Sequence, residues 1–205
     1  MKAIFFISSF LIVGFIYSQT INDTISYYNE ITKSTEFTNK PNEPQKWKSD
    51  VKIYIDGIYD SVAEAEVYNV IEELNELIST INIAVVNNKN EANLIAFFGF
   101  CSDYDKFEPK AIPYSGNNYG LFVVNSKNNE IFKGSFYVDV VRCGWLDTTL
   151  TDKTKKHLVR EELTQSLGLY NDSMKYPNSI FYQGFTFTTE YSDLDKKIIR
   201  IHYND

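Results

Sequence analysis

Histidine is scarce in this 205-residue sequence: there are two, His157 and His202. A three-histidine zinc centre is therefore excluded. Cysteine is equally sparse, at Cys101 and Cys143, and two thiolates with no histidine nearby cannot fill the four positions of a zinc knuckle. A G-x-S-x-G nucleophile elbow, a glycine-rich phosphate loop and a cysteine close to a histidine are all missing. Each would have carried a familiar nucleophilic or nucleotide chemistry. Basic side chains are outnumbered 20 to 27, for a formal net charge of −7. That acidic balance repels phosphate backbones and anionic lipid, so no nucleic-acid partner is expected.

Long hydrophobic runs are confined to the start. "MKAIFFISSFLIVGFIYSQ" carries one cation at Lys2, an apolar stretch from Ala3 to Tyr17 and the small Ser18 before Gln19, which reads as a secretory signal. The apolar stretch falls short of the roughly 20 residues that a membrane span needs. The expected organisation is a signal peptide over 1–18, an N-terminal segment with a short helix and a proline-containing linker over 19–50, and one domain over 51–205. The mature chain is expected to be secreted or periplasmic, with no membrane span. In an exported chain an even cysteine count favours pairing, so Cys101 and Cys143 are expected to form a disulfide that ties two strand ends. Closing that loop would stabilise the fold by roughly 3 to 4 kcal/mol.

Apolar residues make up 43% of the chain, enough for a single core. "SYYNEITKSTEF" suggests a short helix directing Tyr27, Tyr28, Ile31 and Phe37 toward apolar surroundings. "VKIYIDG" alternates with the period of a half-buried strand. "SVAEAEVYNVIEELNELISTI" places Val62, Val67, Val70, Ile71, Leu74, Leu77 and Ile78 near one helical face, with Asp60 or Ser61 as the cap. "INIAVV" and "NLIAFFGF" read as interior strands, and residues from Ser102 to Asn118 as a loop in which "PYSGNNYG" could line a groove. "YGLFVVNS" and "EIFKGSFYVDVV" resume strand character around a turn at "KNN". A second helix starts near Thr151 or Asp152 and ends at Gly168. A third, "SDLDKKIIRIHY", is capped by Ser192 and buries Leu194, Ile198, Ile199 and Ile201. The class is α+β.

The second helix contains "EELTQSLGLYND". In metzincins two histidines four residues apart hold zinc from one helical face, the glutamate after the first activates water, and a glycine turns the chain toward a third ligand. With Gly168 setting the register, Glu161 and Gln165 occupy the histidine positions, Glu162 the general-base position and Asn171 the third-ligand position, with Asp172 following. The base position is kept and every ligand position is changed.

Together with "YYNEITKSTEF", "KWKSDVKIYIDG", "REELTQSLGLYNDS", "YPNSIFY" and "LDKKIIRIHY", this motif resembles the secreted metzincin-like proteins grouped as domain of unknown function 2927. The resemblance runs from about Tyr27 to Tyr203. It implies a zincin-like fold: one twisted mixed sheet, a long helix, an active-site-type helix and a C-terminal helix. It implies no established reaction. "NSIFY" takes the place of the metzincin Met-turn, with Phe181 where a methionine would lie.

The expected binding pocket is Glu161, Glu162, Gln165, Asn171 and Asp172. No zinc is expected; calcium or magnesium, on oxygen donors such as Glu161, Gln165 and Asp172, is the alternative. The structural alternative has Glu161 and Gln165 bonding the loop after Gly168, with Arg160 as a cationic neighbour of the paired glutamates. His157 is expected at the solvent edge and His202 at the surface. The function expected is a secreted, non-catalytic domain whose cleft binds a peptide or glycan or only supports the fold. Its rival is a metal-dependent hydrolase with Glu162 as general base.

Overall fold

The computed structural model describes residues 22–33, 43–140, 150–184 and 186–204. The segment expected to be a signal peptide, Phe37 and Cys143 lie outside these residues. Cys101 is buried, and the partner expected for it, Cys143, is among the residues outside this description.

The architecture is α+β. Strands β1 (Lys46–Trp47), β2 (Val51–Gly57), β3 (Ile83–Val85), β4 (Leu94–Gly99) and β6 (Glu130–Asp139) run parallel in the order β1-β6-β4-β2-β3. Strand β5 (Gly120–Lys127) pairs antiparallel with β6, so the sheet is mixed. The β5–β6 turn places Asn128 and Asn129 at positive φ, which asparagine tolerates better than most residues.

Helix α1 (residues 22–32) buries Tyr27 and Ile31. Helix α2 (Ser61–Leu77) is capped by Asp60, whose carboxylate accepts from the amides of Val62 and Ala63. Its Val67, Val70, Ile71, Leu74 and Leu77 are buried, each worth about 1.5–3 kcal/mol. Helices α4 (Asp152–Gln165) and α5 (Asp193–Asn204) share the same core. In α5, Ile198 and Ile199 are buried, whereas Leu194 and Ile201 are half-buried. Ser192 serves as the cap, its hydroxyl accepting from the Asp195 amide at 3.1 Å.

The expected loop from Ser102 to Asn118 is instead largely helical. Helix α3 (Cys101–Phe107) and two short 3-10 turns, Pro109–Ala111 and Ser115–Asn117, cover the opposite face of the sheet. Cys101, Tyr104 and Phe107 recur every three residues and pack with Ile95, Phe97, Leu121 and Tyr137. The prolines that suggested a loop in fact lie after α3. Strand β4 is consequently buried along its whole length, which explains its unbroken apolar run. Its alternate residues feed two separate cores.

Both histidines are buried, contrary to expectation. His202 is 1% exposed, with Nδ1 3.2 Å from the Tyr28 hydroxyl and Nε2 3.1 Å from the Gln45 carbonyl oxygen. This arrangement suits a neutral ring that donates from Nε2 and accepts at Nδ1. Arg160 likewise has another role. It donates to Glu66 at 2.9 Å and to Glu73 at 2.8 and 2.9 Å, and lies 4.6 Å from the Tyr191 ring centre. It thus joins α4 to α2, on the side away from the paired glutamates.

Candidate functional site

Helix α4 sets the site. Thr151 caps it, accepting from the Thr154 amide at 3.2 Å. At the far end the Gly168 amide donates to the Gln165 carbonyl, and Gly168 adopts a φ of +110°. A side chain there would collide with the Gln45 carbonyl oxygen and come within 2.7 Å of His202 Nε2, so only glycine lets the chain turn this tightly. The turn carries residues 169–172 back beside the helix.

Residues His157, Glu161 and Gln165 recur every four positions and so form one stripe. Gln165 Nε2 donates to Asp172 Oδ1 at 2.7 Å, linking the helix to the returning chain as the structural alternative anticipated. Glu161 does not reach that loop; its Oε2 lies 3.4 Å from His157 Nε2. The other ring nitrogen, Nδ1, is 2.7 Å from the Thr188 carbonyl oxygen, so it donates. Burial pushes the His157 pKa down, but the bond and charge of Glu161, with the Thr188 carbonyl, more than offset this and leave it raised.

Glu162 is buried and its Oε1 lies against the backbone of Gly120. A β-carbon at Gly120 would displace that carboxylate. Asn171 turns away: its Nδ2 donates to the carbonyls of Glu30 and Asp172. Four of the five expected pocket residues therefore converge, and the third-ligand position does not. Phe181 is fully buried in the main core. Its neighbours in the turn are held by Asp195, which accepts from the Ser179 hydroxyl at 2.5 Å and the Ile180 amide at 3.2 Å. Burial raises the Asp195 pKa in spite of these bonds.

His157, Glu161, Glu162, Gln165 and Asp172 line a cleft of about 360 Å³ that also takes in residues 117–122, Tyr182 and Gln183. The sequence "PYSGNNYG" thus supplies part of the wall through Asn117, Asn118, Tyr119 and Gly120. Strand β5 continues that wall through Leu121 and Phe122. The Asp139 amide donates to the Tyr119 carbonyl at 2.7 Å, and bonding alternates along an antiparallel pair. Leu121 and Val123 therefore bond inward to β6, while the N–H and C=O of Gly120, Phe122 and Val124 face outward. Among the described residues β5 pairs with no strand but β6. No sequence signal marked this edge, because which strand ends up outermost depends on the order of the whole sheet.

The zinc positions carry one carboxylate, at Glu161, and two amides, whose Nε2 (Gln165) and Nδ2 (Asn171) groups already donate to other oxygens. Among the described residues, no three histidine, cysteine, aspartate or glutamate side chains form a group able to hold a metal ion.

A family model described as protein of unknown function (DUF2927) matches residues 22–205, and the chain belongs to that family. Among solved structures the chain is similar to two of myroilysin. One is 14% identical, with 78% of this chain and 82% of that chain covered and a TM-score of 0.47. The other is 13% identical, with 86% and 95% covered and a TM-score of 0.48. No curated protein matches. Among the described residues no helix is long and apolar enough to cross a membrane.

Proposed function

We propose that the chain is an exported, non-catalytic binding domain whose cleft receives an extended peptide as an added strand along β5. The observation that carries this reading is the outward-facing backbone of Gly120, Phe122 and Val124, of which Gly120 and Phe122 line the cleft beside α4. An open strand edge is a template for main-chain pairing, with pockets beside it for alternate side chains. A glycan, the other ligand expected, has no amide ladder to match that edge.

The non-catalytic part rests on donor chemistry. Zinc lowers the pKa of bound water only when it is held, and a set of one carboxylate and two engaged amides does not fit that ion. Glu162 keeps the place of a general base, so the rival hydrolase reading has one residue in its favour.

Amide hydrogen exchange tests both parts. A strand-forming peptide should slow exchange at Gly120, Phe122 and Val124, and protein purified without chelator should contain no stoichiometric zinc and cleave no peptide. Unchanged exchange at those three amides would remove the binding reading. Near-equimolar metal, lost together with a cleavage activity on adding chelator, would establish the hydrolase instead.

A further inference from the structure

Besides α4 and β5, the cleft is lined by Tyr182, Gln183 and Gly184, which belong to no helix and no named strand. Regular secondary structure does not hold these residues, so side chains and single backbone bonds must. Their turn is tied to the chain returning from α4 at one residue. The Ser173 amide donates to the Phe181 carbonyl at 2.8 Å, and the Gln183 amide donates to the Ser173 carbonyl at 3.1 Å. Ser173 directly follows Asp172, the partner of Gln165. The Tyr182 ring rests on Gly184, where a β-carbon would lie 2.4 Å from ring atom Cε1. Tyr182 is half-buried and Gln183 exposed, so neither side chain is spent in the core.

The anchor under this turn is Asp195 of α5, which is fully buried. Its Oδ2 helps to cap its own helix, accepting from the Ser192 amide at 2.9 Å and the Ser192 hydroxyl at 2.8 Å, a reciprocal arrangement that is complete by itself. The other bonds reach 15 and 16 residues back to the turn, from the Ile180 amide to Oδ2 at 3.2 Å and from the Ser179 hydroxyl to Oδ1 at 2.5 Å. Because the one hydroxyl proton of Ser179 goes to Asp195, its oxygen accepts. It does so from the Phe181 amide at 3.1 Å and from the Tyr27 hydroxyl of α1 at 2.9 Å. Burying a carboxylate is costly, and the helix cap accounts for only two of the four bonds that offset the cost.

From this connectivity, and resting on the strand-addition reading, we infer that Asp195 is a positioning residue for peptide binding. Through Ser179 and the turn that closes on Ser173, it fixes Tyr182 and Gln183 as the wall against which a peptide paired to β5 packs. A tyrosine held in place supplies contact area at little cost in side-chain freedom.

The test uses the mature chain and a capped heptapeptide of alternating threonine and valine. Calorimetry gives affinity, exchange at the β5 amides reports strand addition, and thermal melts report folding. Tyr182→Ala should weaken binding about tenfold, as loss of one well-packed tyrosine does. Asp195→Ala and Ser179→Ala should weaken it to a similar degree, and Asp195→Ala should add little in a Tyr182→Ala background, since both act on one contact. Ser179→Ala leaves the α5 cap intact and carries the test if Asp195→Ala does not fold. Gly184→Ala keeps the tyrosine but displaces its ring, and should also lose affinity. Asp195→Asn can accept with its oxygen and donate to Ser179 with its amide, so it should bind like the parent. Ser192→Ala removes only the cap hydroxyl; it should lower the melting temperature and leave affinity unchanged, a split that a merely structural Asp195 would not produce. Parent-like binding by Ser179→Ala or by Gly184→Ala, with β5 protected, overturns the positioning role and leaves strand addition standing. Affinity lost in Ser192→Ala in step with its melting temperature overturns it as well. If the peptide protects no β5 amide in the parent, strand addition falls and the positioning role with it.

Discussion

Acidification should unfold this protein partly through His202. The ring is 1% exposed, and burial together with the nearby Lys46 ammonium lowers its pKa to about 4, against the bonds it makes to backbone. An unfolded chain would titrate the same ring near the ordinary value of about 6.5. Between those two values the unfolded state binds the proton and the native state does not. Stability is thus fully present above about pH 6.5 and falls as pH drops toward 4. A shift of that size corresponds to about 3 kcal/mol. His157 works in the opposite sense: its raised pKa gives stability that is present at low pH and lost as pH rises through the folded value. Comparison with His202→Gln separates the two, because both proteins keep His157 and every carboxylate. Urea denaturation at about pH 7 and about pH 4 should show the parent losing about 3 kcal/mol more than the variant. Equal losses would mean that His202 does not stay neutral in the native protein.

Three further perturbations probe the frame around the cleft. Gln165→Ala removes the 2.7 Å bond to Asp172 and should cost about 1 to 3 kcal/mol, while Glu162→Gln should leave the melting temperature nearly unchanged; the reverse ranking would contradict the structural role given to Gln165. Arg160→Met leaves Glu66, 3% exposed, without its cation and should cost about 3 to 5 kcal/mol by denaturant titration. Gly168→Ala meets both a φ of +110° and the Gln45 carbonyl, and should destabilise by about 2 kcal/mol or more, so a variant that melts like the parent would refute the tight turn. The Cys101–Cys143 bond expected from the sequence is checked by thiol titration in denaturant without reductant, which should find no free thiol.

Local patterns in the sequence determined what local physics controls. Strand β2 runs from Val51 to Gly57 because an alternating run has a face to bury, and α2 begins after Asp60 because a carboxylate satisfies its first free amides. Gly168 marks the end of the motif helix for a comparable reason: a left-handed residue there favours glycine. The spacing that brings Glu161 and Gln165 to one face was legible from the helical period alone. Other features needed the assembled molecule. Residues 101–107 are a helix because the second face of the sheet requires cover, and the chain segment itself carries only three apolar positions to say so. His157 and His202 look polar in sequence and are buried because Thr188, Tyr28 and Gln45, from distant segments, supply their hydrogen bonds. Arg160 binds Glu66 and Glu73 across 94 and 87 residues, and Asn171 faces α1 rather than the cleft. Periodicity fixes which face of an element is apolar; what lies against that face, and which strand edge remains open beside it, is decided by how segments far apart in the chain pack against one another.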